Sequence, residues 1–335
     1  MIRLCQWDIT GNCNLHCVYC REKITKNLPD TPLDQMKHFV DQFTEARVEN
    51  VTLAGGEPLL HPEVREIVTY LRDKVKHITV VTNATLIDEG WARFFKRHNC
   101  TMQISLDGSR AEIHDQMRGR GNFERTVAGI EILKKHDLHV ILRLTICPQN
   151  LRDTADFVKL AHKLGAEGAF LRRVIPTGDY NRRHLLTSDE LYSALKAAFE
   201  EGKRLGIKVG SADFFCQLTF SEEDIAEAEK NLTKYPGDQI LSGCSIGRDT
   251  FFLAQDGRVL FCPYLPIYCG DLKEERLEDI LKNSEMMTIA RNLRFRVKGK
   301  CARCKYLRCC GGCPAYVFQT TGDIFASDNG CWMNP

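Results

Sequence analysis

Short β-branched runs alternate with longer amphipathic stretches through the first half of the chain. The runs at 3–9, 51–54, 77–82, 101–106, 139–146 and 169–174 read as strands. Between them, apolar residues at helical spacing predict helices at about 33–46, 63–74, 89–96, 123–136 and 151–164. About six βα units in succession predict an α/β fold, a partial (β/α)6 TIM-type barrel over residues 1–180. Such a barrel puts its active site at the C-terminal ends of the strands. After Pro176-Thr177-Gly178-Asp179 the pattern turns polar, and helices at about 188–205 and 222–232 make residues 181–242 a helical bridge. From Gly243 onward long apolar runs become scarce and cysteines crowd together. Residues 243–335 are therefore expected to form a small domain held by metal clusters, without a large core.

At 335 residues the chain has room for two domains. Its 46 Lys and Arg against 44 Asp and Glu leave a net charge of +2, so no global excess draws it to nucleic acid or an anionic bilayer. No stretch approaches the ~18 consecutive apolar residues of a membrane span. The opening Met1-Ile2-Arg3-Leu4-Cys5-Gln6-Trp7-Asp8 has no signal-peptide pattern, which predicts a cytoplasmic protein. What departs from an ordinary globular chain is the count of 16 cysteines. In a reducing compartment, thiols in tight clusters favour metal over disulfide.

Three of them, Cys13, Cys17 and Cys20, fall within eight residues on the loop just past the first strand. Three such thiolates can hold three irons of a cubane and leave the fourth open to another ligand. Zinc, the competing reading, prefers a closed site of four protein ligands.

Tyr19 precedes the last of these cysteines, and further motifs follow in order. They are Gly55-Gly56-Glu57-Pro58, Thr82-Asn83, Ser105-Leu106-Asp107-Gly108 and Arg118-Gly119-Arg120-Gly121-Asn122-Phe123, most of them at strand ends. From residue 3 to about 180 the chain thus resembles the radical S-adenosylmethionine (AdoMet) enzymes. The resemblance implies a [4Fe–4S] cluster on Cys13, Cys17 and Cys20, with AdoMet at its open iron. It implies that Gly55, Gly56, Glu57 and Pro58 hold the methionine amino group, and that Asn83, Ser105 and Asp107 contact the ribose and methionine end. One of Arg118 and Arg120 is then expected to pair with the AdoMet carboxylate, which suits guanidinium geometry.

The second set is Cys244, Cys262, Cys301, Cys304, Cys309, Cys313 and Cys331, with Gly257 between the first two. It resembles the SPASM domain of the same enzymes, which carries two auxiliary [4Fe–4S] clusters and brings the total to three. By that analogy one auxiliary cluster takes Cys301, Cys304, Cys309 and Cys331, and the other takes Cys244, Cys262 and Cys313. The fourth ligand of the latter is either Cys269 or an open iron. Four residues separate Cys304 from Cys309 where the pattern has five. Cys309 is the preferred ligand because it keeps three residues before Cys313, with Cys310 as a bystander or substitute. A zinc ribbon is the competing reading of these spacings. Of the rest, Cys5 and Cys100 are expected to pack as small apolar residues. Cys147 and Cys216 are candidate hydrogen donors to a substrate radical, as in the family's peptide epimerases.

The resemblance implies reductive cleavage of AdoMet to a 5′-deoxyadenosyl radical, fed anaerobically by a low-potential donor such as flavodoxin or ferredoxin. It also implies hydrogen abstraction from carbon, with the auxiliary clusters accepting an electron in a net oxidation. The first expectation for the substrate is a peptide or protein side chain. Two features weigh against common peptide subtypes: the barrel starting near residue 3, with no room for a leader-binding domain, and Pro263 where sulfatase maturases carry Asp. The second expectation is a tetrapyrrole carboxylate side chain, because 175–178, 309–316, 321–323 and Cys331 resemble the haem and haem d1 branch. A non-catalytic iron–sulfur carrier is the third reading. Arg172-Arg173 and Arg182-Arg183-His184 are basic segments suited to an acidic substrate, and Arg172 is expected to face the cavity.

Overall fold

A computed structural model describes residues 3–21, 28–177, 184–235, 237 and 239–333. Gly178, Asp179, Arg182 and Arg183 lie outside the described residues. The six expected strands form as β1 (Leu4–Thr10), β2 (Asn50–Gly55), β3 (His77–Thr82), β4 (Cys100–Ser105), β5 (His139–Ile146) and β6 (Gly168–Arg173). Four more follow: β7 (Lys208–Ser211), β8 (Thr250–Leu253), β9 (Arg258–Cys262) and β10 (Leu265–Asp271). All ten make one open sheet in the order β10-β9-β8-β1-β2-β3-β4-β5-β6-β7. From β8 through β7 neighbouring strands run parallel, and β9 and β10 add an antiparallel hairpin at one edge.

Helices α1 (Leu33–Glu45), α2 (Val64–Arg72), α3 (Glu89–Arg97), α4 (Ala111–Arg118), α5 (Asn122–Lys135) and α6 (Thr154–Lys163) join the first six strands. Each buries one stripe; in α1 it is Met36, Phe39, Val40 and Phe43, at the spacing that puts residues on one helix face. Phe43 packs edge-on against Trp7 of β1 at 5.6 Å and against Phe251 of β8 at 5.9 Å. Helix α4 escaped the periodicity because only Ile113, His114 and Met117 of its eight residues are buried.

Two expectations about the second half need correction. The stretch read as a helical bridge does carry α7 (Ser188–Leu205), α8 (Phe214–Phe220) and α9 (Glu222–Lys234), but it also supplies β7, which continues the parallel sheet beside β6. Nor does the chain beyond Gly243 lack a core. All four residues of β8 are buried, and Leu4 to Trp7 pair in register with Thr250 to Leu253. The runs β8 to β10 are only four to seven residues long, with two cysteines and two prolines in and between them, so periodicity alone underrates them. Among the described residues no helix is long and apolar enough to cross a membrane.

Candidate functional site

Burial alternates strictly along β4 and β5. Val140, Leu142, Leu144 and Ile146 are fully buried, whereas Arg143 and Thr145 point the other way. The second face lines a cavity of about 220 Å³ into which β1 sends Gln6 and Asp8, β4 Ser105, and β6 Arg172. Residues from nearly every parallel strand meet there, so the sheet is curved around it. Pro263 and Tyr264, the turn after Cys262, line it as well.

Cys13, Cys17 and Cys20 all line this cavity, on the loop leaving β1. Among the described residues no three His, Cys, Asp or Glu side chains converge closely enough to hold one metal ion. A cubane places each thiolate on a different iron, so thiols that share a cavity without meeting at a point fit it.

Gly55 and Gly56 border the cavity too, and the close approach they permit is to the triad loop. A Cβ on Gly55, whose φ is +128°, would lie 2.3 Å from the Thr10 carbonyl oxygen, and one on Gly56 would lie 2.2 Å from that of Asn12. Their neighbours stitch the loop down: Gly56 N–H donates to Thr10 O at 2.8 Å and Glu57 N–H to Asn12 O at 2.7 Å. The Glu57 carboxylate is buried, accepting from the Thr82 hydroxyl at 2.7 Å and from the N–H groups of Asn83 at 2.8 Å and Leu59 at 3.3 Å. Burial nevertheless raises its pKa to about 6. Pro58, at the start of the short turn Pro58–Leu60, is buried and does not reach the cavity. Asn83 does, with its amide donating to Asn14 Oδ1 at 2.9 Å.

The arginine alternatives separate. Arg118 lines the cavity, while Arg120 is exposed and outside it. Arg118 Nε donates to Asp107 Oδ2 at 2.5 Å, Nη2 to the Tyr19 hydroxyl at 2.7 Å, and Nη1 lies 3.8 Å from Cys17 Sγ. Asp107 is fully buried behind the wall, where Oδ1 accepts from Thr145 N–H at 2.8 Å and Oδ2 also accepts from Tyr19. Tyr19, Asp107 and Arg118 are thus one network backing the triad.

Arg172 faces the cavity as expected, with Nη1 donating to the Tyr264 hydroxyl at 2.8 Å. Arg173, its neighbour, does not. It is 3% exposed, and its guanidinium is gripped by Asp328 at 2.8 and 2.5 Å and by Asp213 at 3.0 Å. Alternation along β6 puts consecutive residues on opposite faces. Three charged cavity residues escaped the sequence reading. Asp8 and Arg21 form a two-pronged ion pair at 2.7 and 2.8 Å, and Arg143 Nη1 donates to Gln103 Oε1 at 2.8 Å. The signal was present: Gln6 and Asp8, Gln103 and Ser105, and Arg143 and Thr145 are polar at period two within otherwise apolar parallel strands.

In the C-terminal region Cys301, Cys304, Cys310 and Cys331 line one small cavity. The residue there is Cys310, not the preferred Cys309, and it restores five residues after Cys304. Cys309 is buried against Ser242 and interacts with Arg294 and Arg308. Cys244 lies within electrostatic reach of both Cys262 and Cys313. Cys269 joins neither group: it is a core residue of β10 whose thiol donates to Ile267 O. Asp328 ties the two groups together. Its carboxylate accepts from Cys313 N–H at 3.0 Å while its carbonyl accepts from Cys331 N–H at 3.3 Å. The two candidate hydrogen donors do not reach the large cavity: Cys147 is buried with Met117 and Val174, and Cys216 packs in the main core.

Residues 7–161 match the family model described as the Radical SAM superfamily, and residues 244–313 match SPASM, an iron–sulfur cluster-binding domain. The chain is similar to the AdoMet-dependent heme synthase of Methanosarcina barkeri, 31% identical over 99% of this chain and 97% of that protein. The AdoMet-dependent heme synthase of Nitratidesulfovibrio vulgaris is 28% identical over 99% of this chain and 93% of its own length. Among solved structures, Streptococcus suis SuiB bound to precursor peptide SuiA superposes with a TM-score of 0.80 at 16% identity, covering 99% of this chain and 76% of SuiB.

Proposed function

The chain belongs to the radical S-adenosylmethionine superfamily and bears its SPASM iron–sulfur domain, and on that premise we propose that it oxidatively decarboxylates a carboxylate side chain of a tetrapyrrole. The observation that carries the oxidation is the composition of one cavity. Its wall holds both the triad Cys13, Cys17 and Cys20 and the turn that immediately follows Cys262. The cofactors, when bound, would supply hydrogen-atom abstraction on the triad side and an electron acceptor behind Cys262. For a propionate side chain the balance is one hydrogen atom lost from the carbon nearest the ring, CO2 lost from the carboxylate, and one electron passed to the auxiliary side. A vinyl group remains.

The chain's own residues do the positioning. Arg118, Tyr19 and Asp107 brace the triad loop from behind, and the Gly55-Gly56 turn presses it against β1 and β2. The ligand set that fits this geometry is Cys301, Cys304, Cys310 and Cys331 for one auxiliary cluster, with Cys244, Cys262 and Cys313 for the other. Tetrapyrrole chemistry comes from the two heme synthase relatives, which match over essentially the whole chain. The peptide or protein side chain expected first from the sequence has a neighbour in peptide-bound SuiB, and that likeness extends to the fold alone. A cytoplasmic setting with a flavodoxin or ferredoxin as donor completes the reading.

The test is anaerobic reconstitution with AdoMet, dithionite and a propionate-bearing iron porphyrin, followed by mass spectrometry. The expected product has lost one CO2 and two hydrogens per reacting side chain, with 5′-deoxyadenosine formed in step. Replacing Cys13, Cys17 and Cys20 with Ala abolishes both. Intact porphyrin beside a modified acidic peptide would return the first expectation to favour.

A further inference from the structure

Five arginines stand on or behind the cavity wall, and three are neutralised from within the protein. Arg21 is held by Asp8, Arg118 by Asp107, and Arg173 by Asp213 and Asp328. Arg143 and Arg172 form no ion pair with a carboxylate among the described residues. Each donates to a neutral oxygen, Gln103 Oε1 and the Tyr264 hydroxyl respectively, both at 2.8 Å, and makes no other hydrogen bond from its guanidinium among the described residues. Both line the cavity. Thr145 of β5 pairs with Arg172 of β6, so Arg143 and Arg172 stand on one face with Cα atoms about 8 Å apart by strand spacing and rise. Aromatic rings support both guanidinium planes, Phe170 at 5.4 Å from Arg143 and Tyr264 at 4.2 Å from Arg172.

Two like charges facing one partly buried cavity are costly unless an anion joins them. Burial, and then the neighbouring Arg172, pull the pKa of Arg143 down to about 10, which leaves Arg143 cationic at neutral pH. We propose that Arg143 and Arg172, with Tyr264, form a carboxylate subsite that grips a side chain of the substrate. The proposal rests on the tetrapyrrole reading and sharpens it. A carboxylate held by two guanidiniums is stabilised as an anion, which opposes its loss as neutral CO2. The gripped carboxylate is therefore one that stays on the product, and its anchoring leaves a different side chain to meet the triad in the same cavity. AdoMet carries the same chemical group, but family resemblance gives that carboxylate to the triad wall, where Arg118 stands.

The experiment uses the anaerobically reconstituted holoenzyme and follows porphyrin absorbance on titration with coproporphyrin and with its tetramethyl ester. AdoMet affinity is measured in parallel. Arg143→Gln and Arg172→Gln are expected to weaken binding of the free acid by about tenfold to hundredfold, the range for hydrogen bonds to charged groups. The ester should bind wild type weakly, and no more weakly once either arginine is gone. Arg172→Lys, which keeps the charge, should recover most of the loss, with iron content and circular dichroism as folding controls. Loss of AdoMet affinity in the Gln variants would assign the pair to the cofactor and overturn the proposal. Equal binding of acid and ester by wild type would also overturn it while leaving the tetrapyrrole reading intact. Binding of neither porphyrin by wild type would remove both.

Discussion

The parallel half of the molecule and its last 35 described residues, 299–333, are held together in different ways. From β1 to β6 every strand buries an alternating apolar row against helices, and Trp7, Phe39 and Phe43 are almost fully excluded from solvent. Residues 299–333 contain no strand, and their regular structure is two helices, Gly299–Ala302 and Pro314–Thr321. Apart from Trp332 packed on Phe215 and Phe220, what ties them down is one buried charge cluster, Arg173 with Asp213 and Asp328, beside a set of cysteines that line one small cavity. Apolar packing is spread over many contacts and tolerates single losses, whereas thiol ligands and buried charges act through few atoms. The first region should survive single insults that the second does not.

The sharpest test of that contrast is Cys310→Ser against Cys309→Ser. With Cys310 as ligand, its variant loses about one cluster's share of iron, a third of the total, and residues 299–333 become sensitive to protease while the barrel resists. Cys309→Ser keeps its iron, and equal iron loss in both variants would return the ligand to doubt. Next comes Asp328→Ala, which leaves Arg173 facing Asp213 alone and unties both cysteine groups. The expected cost is about 3–5 kcal/mol in chemical denaturation, with hydrogen exchange rising first in the C-terminal segment. Uniform loosening of the barrel would contradict the division.

The smallest effect lies inside the robust half. Glu57 has its pKa raised from the ordinary 4.5 to about 6, so the folded protein binds a proton that the unfolded chain releases. Stability of the cofactor-free protein should therefore fall as pH rises from about 4.5 to 6, by about 2 kcal/mol. Glu57→Gln should flatten that slope. An unchanged pH profile would show that Thr82 and Asn83 already compensate the charge.

Much of the barrel is legible in the sequence because strand and helix periods are local. The triad is equally legible, since its three thiols sit on eight consecutive residues. The polar cavity was only half visible. Arg172 was placed there from its position near a strand end, but Asp8 and Arg143 look like isolated charges until β1 and β5 are known to share a concave face. The choice between Cys309 and Cys310 turns on a backbone path through Gly311 and Gly312, with φ of +72° and +71°, that spacing rules do not encode. Strand β8 was missed because its partner β1 lies some 240 residues away, and no local pattern announces so distant a pairing.

That last pairing also sets a schedule. At a synthesis rate of roughly 5–20 residues per second, the outer edge of β1 waits about ten seconds to a minute on the ribosome before Thr250 to Leu253 emerge to cover it. The sheet can grow from β1 toward β7 in the order of translation, but in the other direction it must wait until Leu253 of the 335 residues has been made. For that interval the strand that launches the cysteine triad is a bare edge, open to mispairing with any nascent neighbour.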